Sequence, residues 1–249
     1  MGNCRELLRQ HFADFSPAEI EACTQFSASL RNKEAIFFLG AGVSIPSGMR
    51  SGAELIQEFQ ERTGSNSSNL RTLCSIYEAQ HSPHELRKLL LELLDDWNKP
   101  LSPIHRLIPQ LNLKYLITVN VDRLVEESCR QQRLQHICFS LPEDLGYARS
   151  DVLTLLKIHG TLEHPHTLVF SDNDYDRVLH QDREFENKLK HLFQEHRVMT
   201  IGFTADEPDF NLLTDWLAES SDGKKVIALH LDETQASLCK RQGVMPILI

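Results

Sequence analysis

The chain alternates between short apolar runs and longer segments with helical periodicity. Ala35–Leu39 is a run of five apolar residues ending in Gly40-Ala41-Gly42, which predicts a buried strand entering a glycine turn. Strand-like runs recur at Tyr115–Val119, Leu153–Ile158, Thr167–Phe170, Val198–Phe203, Val226–Leu231 and Met245–Ile249. Between them, helix starts are marked by caps. Ser16-Pro17-Ala18-Glu19 combines a capping box with proline at the first helical position and predicts a helix to about Arg31. Ser51 with Glu54 opens another, which stops at Gly64. Residues 65–112 differ from their surroundings: Ser82-Pro83-His84-Glu85 caps an apolar-striped helix through Trp97, Ser102-Pro103 starts a short one, and almost nothing resembles a strand. The pattern predicts an N-terminal helical segment over 1–34 and a core domain over 35–249 with a helical insertion at about 65–112.

Strands alternating with helices predict an α/β fold with a Rossmann-like, mostly parallel sheet and helices on both faces. The near-continuous apolar character of Ala35–Leu39 and Val226–Leu229 fits central strands buried on both sides. At 249 residues the chain suits one large domain with room for the insertion.

Composition narrows the picture by exclusion. A hydrophobic share of 41% with 24% charged residues is ordinary for a globular protein. The net charge of −9 argues against a surface built to neutralise phosphates, so no direct nucleic-acid binding is expected. The six cysteines form no C-x-x-C pair, which fits reduced thiols in a cytoplasmic protein. No run approaches the roughly 18 apolar residues of a membrane span. No apolar signal segment accompanies Arg5, Glu6 and Arg9. Glu6 stands where an N-myristoylation pattern needs Ser or Thr.

Candidate chemistry collects at the strand ends, where open α/β sheets bind ligands. Gly40-Ala41-Gly42-Val43-Ser44 lies where a dinucleotide pyrophosphate would approach, with glycines letting the backbone close in and exposed N–H groups cradling it. The full G-x-G-x-x-G pattern fails at Ile45, so a plain tight turn explains the segment equally well. Arg50 is either a phosphate ligand or a solvated surface residue. Tyr115–Val119 runs into Asn120-Val121-Asp122, whose polar residues also suit helix capping. Leu153–Ile158 runs into His159-Gly160, where a lone histidine is ordinarily a satisfied residue near the core. Gly202-Phe203-Thr204 makes a fourth such end, and the coincidence of four is what favours a site.

In order and spacing, Gly40-Ala41-Gly42-Val43-Ser44, Thr118-Val119-Asn120-Val121-Asp122, Lys157-Ile158-His159-Gly160 and Gly202-Phe203-Thr204 resemble the motif series of sirtuins, across residues 35–249. More narrowly, Phe170-Ser171-Asp172-Asn173-Asp174-Tyr175 and Gly202-Phe203-Thr204-Ala205-Asp206-Glu207-Pro208-Asp209 are similar to sirtuin-like NAD-hydrolysing domains of bacterial anti-phage defence. Deacylating sirtuins carry a zinc ribbon of two cysteine pairs after the His-Gly motif. Here Cys239 is the only cysteine beyond residue 138, so a four-cysteine zinc site cannot form. Met49-Arg50-Ser51-Gly52 replaces the acidic and aromatic residues that deacylases carry after the glycine loop.

The resemblance therefore implies a sirtuin-like fold without zinc ribbon, NAD as substrate, no metal, and cleavage to nicotinamide and ADP-ribose. It assigns His159 as general base, Asn120 to the ribose or the attacking water, and Asp122 to the nicotinamide side. Gly40, Ala41, Gly42 and Ser44 would line the pyrophosphate, Gly202 and Thr204 its far side, and Asp232 the adenine or its ribose. It further implies activation through homo-oligomerisation or through a fused or separate sensor. The stripe Leu86, Leu89, Leu90, Leu93 and Leu94 suits core packing first and an assembly face second. The alternatives are an NAD-dependent protein deacylase and a non-catalytic module binding NAD or ADP-ribose.

Overall fold

The computed structural model describes residues 14–248 except 112, 141–150, 181–182, 219–225 and 231–232, together with Glu6 and Gln10. Seven strands form one sheet: β1 (Ala35–Leu39), β2 (Tyr115–Thr118), β3 (His136–Phe139), β4 (Leu153–Lys157), β5 (Arg197–Ile201), β6 (Val226–His230) and β7 (Met245–Leu248). Their spatial order is β3-β4-β2-β1-β5-β6-β7, and every pairing is parallel. The chain moves from β1 to one side of the sheet and then places β5 on β1's other side, so the direction of winding reverses at β1. The register sets Leu39 level with both Thr118 and Ile201. A crevice at the carboxyl ends of these strands is the ligand position of this architecture.

The helices are α1 (Pro17–Arg31), α2 (Gly52–Thr63), α3 (Leu70–Gln80), α4 (Pro83–Leu93), α5 (Pro103–Leu107), α6 (Leu124–Gln131), α7 (Asp172–Tyr175), α8 (Arg183–Glu195), α9 (Pro208–Ala218) and α10 (Glu233–Arg241). Alternation along the strands sorts side chains between two faces. Ile36, Phe38, Ile117 and Leu156 pack with Phe193 of α8 and Phe210 and Leu213 of α9. Phe37, Leu39, Leu116 and Leu155 pack with Phe26 of α1 and Val125 and Cys129 of α6. Phe26 meets Phe37 edge-on, with ring centroids 5.3 Å apart. Each fully buried Leu or Phe of this kind contributes roughly 1.5–3 kcal/mol. Helices thus cover both faces, as the strand pattern predicts.

The caps form as read: Ser16, Ser51 and Ser82 each accept from the N3 amide. α4 stops at Leu93 rather than Trp97 because Asp95 turns back to bond the Trp97 amide at 3.0 Å and Asn98 takes a left-handed backbone conformation. The leucine stripe of α4 and the residue after it is buried against Leu55, Phe59, Leu73 and Tyr77, so it is core rather than an assembly face.

Two strand expectations need correction. Thr167–Phe170 does not form a strand; Pro165–Thr167 is a 3-10 turn. The Thr167 hydroxyl bonds the His164 carbonyl and receives the Thr161 amide, while the Val169 amide bonds the His159 carbonyl, so this segment straps the His-Gly turn instead of joining the sheet. Conversely, β3 went unrecognised because it is an edge strand, with only Phe139 of its four residues buried.

Candidate active site

β1 leads directly into two 3-10 turns, Ala41–Val43 and Ile45–Ser47. Four amides at the start of this loop are engaged within the protein. Gly40 donates to the Ile201 carbonyl at 2.8 Å, Gly42 to the Gly202 carbonyl at 2.9 Å, Val43 to Gly40 and Ser44 to Ala41. The Gly40 and Gly42 bonds form a seam between the loops after β1 and β5. Gly202 makes the seam possible: its φ is +80°, and a Cβ there would lie 2.7 Å from the Val43 nitrogen.

Beyond β2, the Thr118 hydroxyl bonds the Leu39 carbonyl and receives the Asn120 amide, each at 3.0 Å. Asn120 Nδ2 donates to the Gly40 carbonyl at 3.0 Å and to Ser44 Oγ at 3.1 Å. A carbonyl can only accept, so this contact fixes the amide orientation and turns Oδ1 to the opposite side. Asp122 is buried and accepts from the Leu124 amide at 3.1 Å, an Asx-type turn just ahead of α6. Burial pushes its carboxyl above the usual range, against the pull of Lys157 and the Ser44 hydroxyl.

Lys157, the last residue of β4, is fully buried and donates to the Asp122 carbonyl and to Glu126 Oε1, the latter at 2.7 Å. Burial alone would favour the neutral amine, but the Glu126 and Asp122 carboxylates outweigh it and hold the ammonium charged. Two residues on, His159 Nε2 lies 3.2 Å from Asp209 Oδ1 and 3.3 Å from the Tyr175 hydroxyl. Burial would raise the Asp209 carboxyl, but its contact with the His159 ring outweighs it and holds it below the usual range. Burial, then the Asp209 charge, pushes the Tyr175 phenol up, so it keeps its proton. The Arg71 guanidinium of α3 sits 4.2 Å from the centre of the Tyr175 ring and pairs with Asp172, which connects the helices between β1 and β2 to the His159 side. Beside His159 and Asp209 a cavity of about 20 Å³ is otherwise lined by apolar side chains including Phe38, Ile158 and Trp216. That is room for one water-sized occupant.

The structure thus brings Gly40, Gly42, Ser44, Asn120, Asp122 and Gly202 into one contact set at the ends of β1, β2 and β5, with His159 at the end of β4, the neighbour of β2. Ala41 forms the first 3-10 turn. Thr204 faces elsewhere: its amide and hydroxyl both bond Glu207 Oε1, at 2.7 and 3.1 Å, ahead of α9. Asp232 lies outside the described residues. Arg50 is exposed and lies 3.9 Å from Glu58, the surface alternative of its two readings. Asp209, Tyr175 and His105 were not singled out from sequence. The first two reach His159 from helices rather than strand ends. His105 carried one readable signal, the Ser102-x-x-His105 spacing of a capping box in which histidine takes the usual Glu or Gln position.

Sheet order and the glycine-seamed crevice define a Rossmann-like nucleotide-binding class of fold. Within that class, the SIR2-like domain family matches residues 114–247, more than half of the sequence, and the chain belongs to it. It is similar to defense-associated sirtuin 2 of Bacillus subtilis, 27% identical over 229 residues, covering 85% of this chain and 22% of that protein. It is also similar to the NAD(+) hydrolase ThsA of Enterococcus faecium, 26% identical over 193 residues, covering 74% of this chain and 40% of that one. The chain therefore spans less than half the length of either relative. Among solved structures, a Sir2 enzyme superposes with a TM-score of 0.55 at 13% identity, covering 92% of this chain and 91% of its own. A sirtuin solved in work on substrate affinity gives 0.51 at 14% identity, covering 87% and 98%. At these identities the structural matches establish the sirtuin fold. No described helix is long and apolar enough to cross a membrane.

Proposed function

We propose that this chain is an NAD glycohydrolase, cleaving NAD and water to nicotinamide, ADP-ribose and a proton, and that it serves as the effector domain of a bacterial anti-phage system. The observation that carries the reading is the pairing of His159, just beyond the strand next to the one that leads to Asn120, with a half-buried, ionised Asp209 at the start of α9.

The nicotinamide of NAD departs as a neutral molecule, so its bond to ribose needs little acid assistance. Catalysis then consists of placing the ribose, tolerating positive charge at the anomeric carbon and steering water to it. Asn120 Oδ1, turned away from Gly40, would accept from a ribose hydroxyl or the water. His159 would take up the proton released on attack. With its Nε2–H given to Asp209, the ring keeps its lone pair on Nδ1, and the Asp209 carboxylate stabilises the imidazolium that forms. Asp122 would serve the nicotinamide side. Gly40, Ala41, Gly42 and Ser44 would receive the pyrophosphate by close approach, with Gly202 and Thr204 beyond it and Asp232 at the adenosine end. Residues 65–112 would form an inserted helical unit on the 35–249 domain, preceded by the 1–34 helical segment. The name of one relative, a defense-associated sirtuin, supports the defence role; the protein would act in the cytoplasm, its activity held off until homo-oligomerisation or a sensor, fused or separate, releases it.

Incubating the purified protein with NAD, alone and within its full-length context, tests the proposal by chromatography of the products. Equimolar nicotinamide and ADP-ribose are expected. Nicotinamide release only with an acylated peptide would make the chain a deacylase, and tight NAD binding without turnover in either context would make it a binding module.

A further inference from the structure

The single turn α7 leans on the helices inserted between β1 and β2. Asp172 accepts from Arg71 Nε of α3 at 2.5 Å, Asn173 Nδ2 donates to Glu78 Oε1 of the same helix at 2.8 Å, and Asp174 accepts from Arg87 of α4 at 2.6 Å. Its last residue, Tyr175, touches both this insertion and the site. The Arg71 guanidinium carbon lies 4.2 Å from the centre of the phenol ring, and the phenol oxygen lies 3.3 Å from His159 Nε2. α7 is therefore a bridge between α3 and the histidine beyond β4.

Asp209 also meets His159 at Nε2, from 3.2 Å. Two torsions place an imidazole ring, and one contact at one atom fixes at most one of them. The phenol supplies a second constraint. It reaches the same nitrogen from a different element, and its ring meets the imidazole edge-on, with centroids 5.5 Å apart and an interplanar angle of 71°. Without it the ring could swing about the Asp209 contact and carry with it Nδ1, the atom that takes up the proton in the proposed reaction. The Asn173 and Asp174 contacts hold α7 itself against the insertion, whereas Arg71 also holds the phenol ring, by its charge over the π face. The Arg71 and Asp172 side chains are 37% and 55% exposed, so their pairing contributes little to stability, and a change at Arg71 tests placement rather than folding.

We propose that Tyr175 is a positioning residue that fixes the plane of the His159 ring, and that α3 of the insertion acts on that plane through Arg71. The kinetic half of this statement rests on the role given to His159 under the proposed function. The placement of the ring does not.

NMR of the histidine ring 1H–13C signals tests the placement whether or not NAD is turned over, with His159→Ala identifying the signal. Arg71→Ala should displace the His159 signal, and Arg71→Lys, which keeps a cation near the phenol, should displace it less. Added to Tyr175→Leu, the same Arg71→Ala change should move it no further. An unmoved His159 signal in Arg71→Ala, or an equal displacement with and without Tyr175, overturns the proposal. Kinetics test the consequence in variants whose circular dichroism is unchanged. Tyr175→Leu should lower kcat by about 10²-fold, the scale of a displaced catalytic group, with KM changing much less, while Tyr175→Phe, which keeps the ring, should stay within about 10-fold of wild type. Arg71→Ala should lower kcat by about 2–5-fold, the size of an exposed cation–π contact, and by nothing further when added to Tyr175→Leu. A folded Tyr175→Leu protein with wild-type kcat refutes the positioning role. If that variant does not fold, the His159 signal in Arg71→Ala decides alone. Should the signal move as expected while the wild-type protein never cleaves NAD, the proposed function falls and the placement stands.

Discussion

Lys157→Met removes one member of the buried ion pair beneath the site while keeping an apolar chain of similar length. Lys157 and Glu126 side chains are 1% and 10% exposed, and their charged atoms are 2.7 Å apart. Glu126 Oε2 already lacks a partner among the described residues, so losing Lys157 leaves a buried carboxylate with only the weak contact from Cys138 to its other oxygen. Breaking a buried pair from one side costs roughly 3–5 kcal/mol, whereas replacing both partners by apolar residues is often near neutral. Lys157→Met should therefore lose about 3–5 kcal/mol at neutral pH, a large part of an ordinary domain stability of roughly 5–15 kcal/mol. The double variant Lys157→Met with Glu126→Leu should recover most of it. The remaining deficit reflects the Asp122 carbonyl, which also loses its donor. Urea unfolding followed by circular dichroism gives the four corners of the cycle, with the coupling read as the departure from additivity. A single-variant loss below about 1 kcal/mol, or a coupling near zero, would refute the account of Lys157 as a charge held in place by Glu126.

Three further predictions follow the same geometry. His159→Ala should abolish NAD cleavage, a loss within the roughly 10²–10⁴-fold range of general acid–base catalysis or larger, with an unchanged melting profile; full turnover by the folded variant would remove the assignment. Asp209→Asn should lower kcat by about 10-fold or more and leave NAD binding, measured by calorimetry, nearly unaffected; a change confined to binding would count against Asp209 acting through His159. Acid should undo the Asp96–Arg123 link: burial raises the Asp96 carboxyl, but the guanidinium and amide of Arg123 outweigh it and set it below the usual range. Its contribution is complete above the unfolded value of about 4 and fades as pH falls through the lower folded value. The stability gap between wild type and Asp96→Asn should thus be constant from pH 7 to 5 and narrow progressively below about pH 4. A gap undiminished at pH 3 would contradict this.

The sheet was legible because six of its strands fall on apolar runs bounded by glycine or polar residues, and because serine caps mark three of the four helices between β1 and β2. His136–Phe139 escaped because an edge strand needs to be apolar on one side at most, and Thr167–Phe170 misled because hydroxyl bonding local to His164 overrode strand propensity. At the site, Asn120, Asp122, His159 and the glycines announce themselves by following strands. Their partners do not: Asp209 and Tyr175 come from separate helices, and His105 from α5. The Ser44–Asn120–Asp122 contacts depend on side chains from different strand ends, which no local pattern encodes.

The glycine seam bears on when the protein becomes capable of anything at all. A ribosome delivers β1, β2 and β4 first, so a partly made chain already holds Asn120 and His159. Gly202 and Asp209 arrive only with β5 and the start of α9, and parallel pairing of segments this distant in sequence is slow to form. Until then the loop after β1 has no surface to close on, and the His159 ring has no carboxylate behind it. For a protein whose proposed activity consumes the NAD of its own cell, synthesis itself would then provide a period of harmlessness, ended by folding of the chain from β5 onward.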